Sequence, residues 1–237
     1  MEWVDEGIVL GLRRHGESSA ILTAFTRRHG RHTGLVRGAT SKRLRGVLQP
    51  GNRLQLSWRG RLEEHLGHFE VELLDSHAAA LMLDAGKLAA LTSACALIDF
   101  SLPERETHPQ LYETLNSLAI ALDHEAWAET YVKWEIGLLA ELGFGLDLSA
   151  CAATGQTTDL VYVSPKTARA VSRQAGEPYR DKLLPLPGFL IGEGGADDLA
   201  LASALKMTGY FLNRHVYTLH GRSLPDSRMR LLQRFLR

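Results

Sequence analysis

Between Arg37 and Arg45 the chain reads Arg-Gly-Ala-Thr-Ser-Lys-Arg-Leu-Arg, four cations in nine residues with glycine and hydroxyl side chains between them. Such a run can follow a phosphate backbone. Each Lys or Arg neutralises a charge and displaces counterions, while backbone N–H groups and Ser/Thr hydroxyls bond phosphate oxygens. A solvated loop has the same composition, so the surroundings decide between the two. From Leu10 to Arg61 there are twelve basic residues and a single acid, Glu17, a net charge of +11 hidden inside a chain whose 27 basic and 27 acidic residues cancel. The rest of the chain therefore carries −11, and the two parts should have different partners. The cations singled out for a polyanion are Arg27, Arg31, Arg37, Lys42, Arg43, Arg45, Arg53, Arg59 and Arg61. Binding through them should be mostly electrostatic, weakly sequence-selective and steeply salt-dependent. Stacking platforms are sparse, since Phe25, Trp58 and Phe69 are the only aromatics between Val4 and Asp75, and core is the better reading of all three.

Residues for bond chemistry are not assembled in any familiar pattern. There is no Gly-x-x-x-x-Gly-Lys-Ser/Thr loop, no His-Glu-x-x-His, no Gly-x-Ser-x-Gly elbow and no paired-acid cluster of nuclease type. Gly192-Glu193-Gly194-Gly195 resembles a phosphate loop only in glycine content, and the acids that follow, Asp197 and Asp198, would repel phosphate; a flexible linker is the better reading. The ten histidines are scattered, with His29 and His32 flanking a turn and as suited to the surface as to ligation. Glu63-Glu64 reads as a solvated turn, and Trp127, Tyr131 and Trp134 as a core stripe at helical spacing. Cys151-Ala152-Ala153-Thr154 has the frame of half a zinc knuckle with a hydroxyl in place of the second sulfur, whereas a structural zinc takes four sulfur or nitrogen ligands. No catalytic residue, metal site or cofactor is expected.

The elements that would carry these residues change character near Asp75. Val4–Leu12, Ala20–Arg27, Arg31–Arg37, Arg53–Arg59 and His65–Leu74 read as five short strands; Leu54, Leu56 and Trp58, then Phe69, Val71 and Leu73, alternate with polar residues as a half-buried sheet requires. Gly30 and Gly60 sit where hairpin turns would take positive φ, and Gly38 to Asn52 makes a long basic connection. Five strands in about 75 residues suit a small barrel of the oligonucleotide/oligosaccharide-binding (OB) type, though an SH3-like barrel or small sandwich fits the same count. After Asp75 the spacing becomes helical: Leu88, Leu91, Cys95, Ile98; Leu111, Leu115, Leu118, Leu122; Trp127, Tyr131, Trp134, Leu138, Leu142; and Leu201, Leu205, Leu212, Val216, Leu219 after an acidic start at Asp197-Asp198. A short last helix follows Pro225, and an irregular stretch from Leu148 to Gly195 holds one hairpin around Leu160 to Val171. The expected class is α+β, with an OB barrel over residues 1–77, a helical-bundle domain over 78–237, and an irregular insert at about 148–195. No apolar stretch reaches the roughly 18 residues of a membrane span. The start Met1-Glu2-Trp3-Val4-Asp5-Glu6 lacks the form of a secretory signal, and two cysteines, Cys95 and Cys151, fit a reducing compartment, so cytoplasm is the expected location.

The ordered segments Glu6-Gly7-Ile8-Val9-Leu10, His15-Gly16-Glu17-Ser18-Ser19-Ala20-Ile21-Leu22, Phe25-Thr26-Arg27-Arg28-His29-Gly30-Arg31, Arg37-Gly38-Ala39 and Leu48-Gln49-Pro50-Gly51 resemble the N-terminal OB domain of the bacterial RecO family of DNA repair and recombination mediators. Glu141-Leu142-Gly143-Phe144-Gly145-Leu146-Asp147-Leu148 with Cys151 resembles the end of that family's central helix and the start of its zinc-knuckle region, so the resemblance runs essentially end to end. It implies an OB domain followed by a helical domain, binding of single- and double-stranded DNA, annealing of complementary strands, and help in loading the RecA recombinase onto strands coated by single-strand-binding protein (SSB). It further implies RecR and the acidic, aromatic C-terminal tail of SSB as partners, and a nucleoid-associated cytoplasmic protein. The sequence departs from zinc-bearing members: one Cys-x-x-Cys pair has become Cys151 and Thr154, and the second would fall near Ser172 and Ala175, so a zinc-free, degenerate hairpin is implied. Two rivals share the charge argument: an RNA-binding OB protein, and a non-enzymatic adaptor whose basic segment meets an acidic protein surface.

Overall fold

Period-two alternation in the first third of the chain builds a ring of strands. The computed structural model describes residues 1–62 and 64–236, so Glu63 of the anticipated solvated turn lies outside the described residues. By internal contacts the chain divides into two units, Met1–Trp127 and a second from Ala128 onward.

In the first unit β1 (Glu2–His15) pairs antiparallel with β2 (Ser19–Thr26) along its second half and with β4 (Arg53–Arg59) along its first. A register shift between Val9 and Gly11 lets this one long strand bend between two partners. β2 pairs with β3 (Gly30–Val36), and β4 with β5 (His68–Asp75), also antiparallel. The order β1-β2-β3-β5-β4 returns to β1, and the turn of the ring between β3 and β5 is a single parallel pair, Leu35 with His68, reinforced by the Leu35 amide donating to the Gly67 carbonyl at 3.1 Å. This is the OB arrangement, and with the helices that follow it makes an α+β fold. Val9, Leu22, Ala24, Leu54, Leu56 and Trp58 fill the interior with Phe69.

The local expectations hold where the alternation is strong and fail where another force acts. Leu54, Leu56, Trp58 and Phe69 are inside, but Leu73 is 39% exposed because the inward pattern of β5 ends after its first half. The connection from Gly38 to Asn52 contains a short helix, α1 (Lys42–Val47), whose cap Ser41 accepts from the Leu44 amide and whose Leu44 and Leu48 reach the barrel core. Six residues are too few for a helical period to show. Gly30 does take positive φ, and any Cβ there would lie 2.0 Å from the Glu106 carbonyl oxygen; Gly60 does not, and among the described residues of that turn it is Gly67, pressed against the Trp58 indole, that is left-handed. His32 is not a surface residue, whereas His29 is partly exposed. His32 is 2% exposed, edge-on to Trp3, Trp58 and Phe69, while His29 stacks on Trp3 at 4.1 Å and lies 3.0 Å from Asp5 through Nδ1.

A helical turn, α2 (His77–Ala80), leads to α3 (Ala85–Ser101) and α4 (Pro109–Ala121). Asp84 caps α3 by accepting from the Gly86 and Lys87 amides, and Pro109 opens α4. Leu91, Cys95 and Ile98 of α3 and Leu111, Leu115 and Leu118 of α4 are buried, as their spacing predicts. α3 lies on the barrel: Leu91 covers Gly51 so closely that a Cβ would meet it at 2.3 Å.

The second unit holds α5 (Trp127–Glu141, from its second residue), a small sheet of β6 (Leu160–Val163), β7 (Ala170–Ser172) and β8 (Leu184–Pro185) in the order β7-β6-β8, a turn α6 (Arg173–Gly176), and helices α7 (Asp198–Leu212) and α8 (Asp226–Arg234). The helix expected to run to Leu219 stops at Leu212 and continues as a π turn over Asn213–Tyr217 and a 3₁₀ turn over Thr218–His220, leaving Leu219 exposed. The Gly192–Gly195 stretch is a helix-terminating segment that leads into the Asp197 cap of α7. At the centre Arg228 and Glu135, 1% and 0% exposed, form a bidentate pair at 2.7 and 2.9 Å. Tyr131 and Thr208 hydroxyls donate to the same carboxylate, and Arg228 also donates to the Leu205 carbonyl. Among the described residues no helix is long and apolar enough to cross a membrane.

Two stability outcomes follow. Burial, with Arg105 and His29 adding repulsion, pulls His32 down from 6.5 to about 4. The unfolded chain therefore takes up this proton first, so the contribution is complete above about pH 6.5 and lost toward about pH 4, by up to about 3 kcal/mol. Urea unfolding at about pH 7.5 and about pH 4.5 should show that loss in the wild type and a smaller one in His32→Phe. Arg228→Met should cost about 3 to 5 kcal/mol by stranding Glu135, and Glu135→Leu added to it should restore most of that in the same assay.

Candidate nucleic-acid interface

Tertiary structure sorts the twelve cations of the basic segment into two groups. Arg27 meets Glu113 at 2.8 Å, Arg28 meets Asp5 at 3.2 Å, and Arg59 meets Glu2 at 2.8 Å. Arg53 spans Glu6 at 2.9 Å and Asp75 at 2.6 Å. Arg31 is only 18% exposed: it donates to the Leu102 carbonyl at 2.8 Å and reaches Asp99 and Glu104, tying β3 to the loop between α3 and α4. The remaining seven, Arg13, Arg14, Arg37, Lys42, Arg43, Arg45 and Arg61, are exposed and have no carboxylate partner among the described residues. Of the nine candidate binding residues, Arg37, Lys42, Arg43, Arg45 and Arg61 thus keep an unspent charge, while Arg27, Arg31, Arg53 and Arg59 hold acids of the same unit. Composition could not separate the groups, because Glu2, Asp5, Glu6, Asp75, Asp99, Glu104 and Glu113 all lie outside the counted segment.

Two of the uncommitted cations, Arg37 and Arg43, border the weak point of the barrel. Past the Leu35–His68 pair, β3 and β5 share no further pairing, and α1 borders the opening. The result is a cavity of about 460 Å³ with apolar walls from Leu35, Leu44, Phe69 and Val71, and with Arg37, Arg43, Arg59, His68 and Glu70 around it. Gly34 clears the way for the Phe69 ring, which would lie 2.4 Å from any Cβ there. The Arg37 guanidinium lies 3.2 Å from His68 Nε2. Lys42 and Arg45, one helical turn apart on α1, continue the positive rim. Such a rim can bind phosphates without reading bases.

The expected core aromatics Phe25, Trp58 and Phe69 are buried. Trp3 lies one residue before the first expected strand and gave no signal in the sequence, yet it joins the histidine and tryptophan cluster as a half-buried stack on His29 and Trp58. Asp5 at this end is 3% exposed; burial pushes its carboxyl up, but bonds from the Arg28 amide, His29, the Arg28 side chain and the Glu6 amide outweigh that and hold it below the usual range.

The knuckle-like hairpin offers one thiol, two hydroxyls and a methyl at the positions of Cys151, Thr154, Ser172 and Ala175. This donor set does not fit a structural zinc. In its place the Cys151 sulfur accepts from the Ser172 amide at 3.3 Å and the Ser172 hydroxyl at 3.4 Å. Burial pushes the thiol up, but the Ser172 and Thr154 hydroxyls and the Ser172 and Ala153 amides prevail and bring it to about 6. Among the described residues no three His, Cys, Asp or Glu side chains converge as metal ligands.

Two family models match the chain: Recombination protein O N terminal over residues 1–77 and Recombination protein O C terminal over residues 82–236. Relatives named DNA repair protein RecO include that of Rhodospirillum centenum, 53% identical over 99% of this chain and 95% of its own. Those of Roseobacter denitrificans, at 50% over 100% and 99%, and Mesorhizobium japonicum, at 52% over 96% and 91%, are similar along the same length.

Titration of a labelled single-stranded DNA oligonucleotide across a salt series separates the two cation groups. The variant Arg37→Ala/Lys42→Ala/Arg43→Ala/Arg45→Ala should reduce the slope of log affinity against log salt by about 3, roughly 0.7 for each of the four phosphates no longer neutralised. Arg31→Ala should leave the slope almost unchanged and lower the unfolding midpoint.

Proposed function

The chain belongs to the recombination protein O family of DNA repair and recombination proteins, and from that premise we propose that it is a recombination mediator that acts by binding and not by bond chemistry. The observation that carries this reading is the array of exposed cations Arg37, Lys42, Arg43, Arg45 and Arg61 on the barrel and α1, which have no carboxylate partner among the described residues. These residues follow the phosphates of single- and double-stranded DNA. Annealing requires two strands to approach with their repulsion screened, and a patch that replaces counterions supplies this without nucleotide hydrolysis. The helical part docks proteins: RecR and the acidic C-terminal tail of SSB, in the task of loading RecA onto SSB-coated strands. An acidic peptide with an aromatic end asks for a groove with a nearby Arg or Lys. On this reading the protein works in the cytoplasm, at the nucleoid, and its knuckle is held by the sulfur-centred hydrogen bonds of Cys151 instead of zinc.

Annealing of complementary SSB-coated oligonucleotides, followed by a fluorophore and quencher pair, tests the proposal. The protein should accelerate pairing without ATP, and the quadruple alanine variant should lose most of the acceleration at moderate salt. Equal or tighter binding to RNA of the same length with no DNA annealing would move the assignment to an RNA-binding OB protein. Absence of binding to any nucleic acid at low salt would make the basic segment a protein-docking surface.

A further inference from the structure

We infer that the cavity at the β3–β5 seam receives one unstacked base of a single strand, with its flanking phosphates met by Arg37 and Arg43; this deepens the DNA-binding reading and rests on it. The cavity volume of about 460 Å³ falls in the range of small-molecule sites. Its walls are of two chemistries. Leu35 and Val71 are half-buried and, with the edges of Leu44 and Phe69, present apolar surface that the face of a base would cover. The lining also carries Arg37 and Arg43, with Arg59 tied to Glu2, and Glu70 and His68 add polar groups that a base edge can meet. A peptide side chain that fills an apolar slot has no need of the two uncommitted cations Arg37 and Arg43 beside it, and a free phosphate has no need of the slot. A nucleotide in a strand needs both.

The position of the site also selects its ligand. The slot lies between two strands that part after one pair, so an entering base must leave its own stack. In a single strand that costs little, whereas a paired base must first be flipped from the duplex. The cations serve both polymers, but the slot serves only the unpaired one.

The test compares a thymidine oligonucleotide with one of equal length built from abasic residues, at fixed salt, on wild type and Val71→Trp, in which the indole fills the slot. Wild type should bind the natural strand about tenfold tighter than the abasic strand, with equal salt slopes. Val71→Trp should bind both with the wild type's abasic affinity and keep its duplex affinity; if it does not fold by circular dichroism, Val71→Met is the milder filling and should narrow the difference. Equal wild-type affinities with a steep salt slope would overturn the base site and leave the phosphate-tracking reading intact. A folded, filled variant that still prefers the natural strand would overturn the base site in the same way. If wild type binds neither strand, the DNA-binding reading itself fails.

Discussion

One parallel pairing, Leu35 with His68, closes the barrel, and much of the rest of the first unit follows from how little that pairing covers. An antiparallel strand pair can run its full length, as β1 and β2 or β4 and β5 do here, but the ring must somewhere join two strands of like direction. It does so over one residue on each side. The unpaired remainder of the seam needs cover, which α1 supplies with Leu44 and Leu48. A six-residue helix cannot seal the gap, so an apolar-walled opening remains beside a segment that carries Lys42, Arg43 and Arg45. Fold closure and ligand access are thus settled at the same place.

A dense run of like charge destabilises a compact state unless it is neutralised or well solvated. The barrel uses both routes, divided by position. Arginines on its ladders and against the helices, Arg31 and Arg53 above all, are joined to acids brought from distant parts of the chain, as far as Glu113 for Arg27. They hold elements together, and neutralised cations contribute little to the release of counterions from a polyanion. Those on α1 and the adjoining turns stay solvated at no desolvation cost. A chain with no net charge thereby presents a local surface of one sign.

How much of this was readable in the residues depends on the range of the force that placed them. Period-two alternation is local, and Arg53–Arg59 is a strand over those same residues; the class, an OB barrel with helices, follows from such runs together with the RecO-like segments. Arg37, Lys42, Arg43 and Arg45 were legible because their uncommitted charge needs no tertiary partner to be seen. Arg31 was not separable from them, since its ties to Leu102, Asp99 and Glu104 exist only after α3 folds back on the barrel. His32 is a similar case. Its ring is buried by Trp3, Trp58 and Phe69, which come from three different strands, and no neighbour in sequence announces it. The cavity could not be read at all, because it arises from a pairing that stops.

The second unit answers the same problem of polar groups inside a fold in another way. Buried ion pairs such as that of Glu135 and Arg228 are often replaceable by apolar residues of equal volume without loss of stability. Their value lies in what they exclude: with Thr208, Tyr131 and the Leu205 carbonyl all satisfied at one carboxylate and one guanidinium, α5, α7 and α8 have a single arrangement that strands no charge. Gly209 reinforces it, for a Cβ there would sit 2.6 Å from the Arg228 guanidinium. Cys151 does the equivalent for the hairpin. A metal would pull four ligands to one point; here a single sulfur gathers the Ser172 amide and hydroxyl, which pins the end of β7 to the turn at Cys151. Sulfur is a weak acceptor when neutral and a stronger one as thiolate, so bonds that lower the proton affinity of Cys151 are the same bonds that hold the hairpin. The hairpin's geometry therefore rests on a common centre for the donors of the turn, and one thiol is that centre.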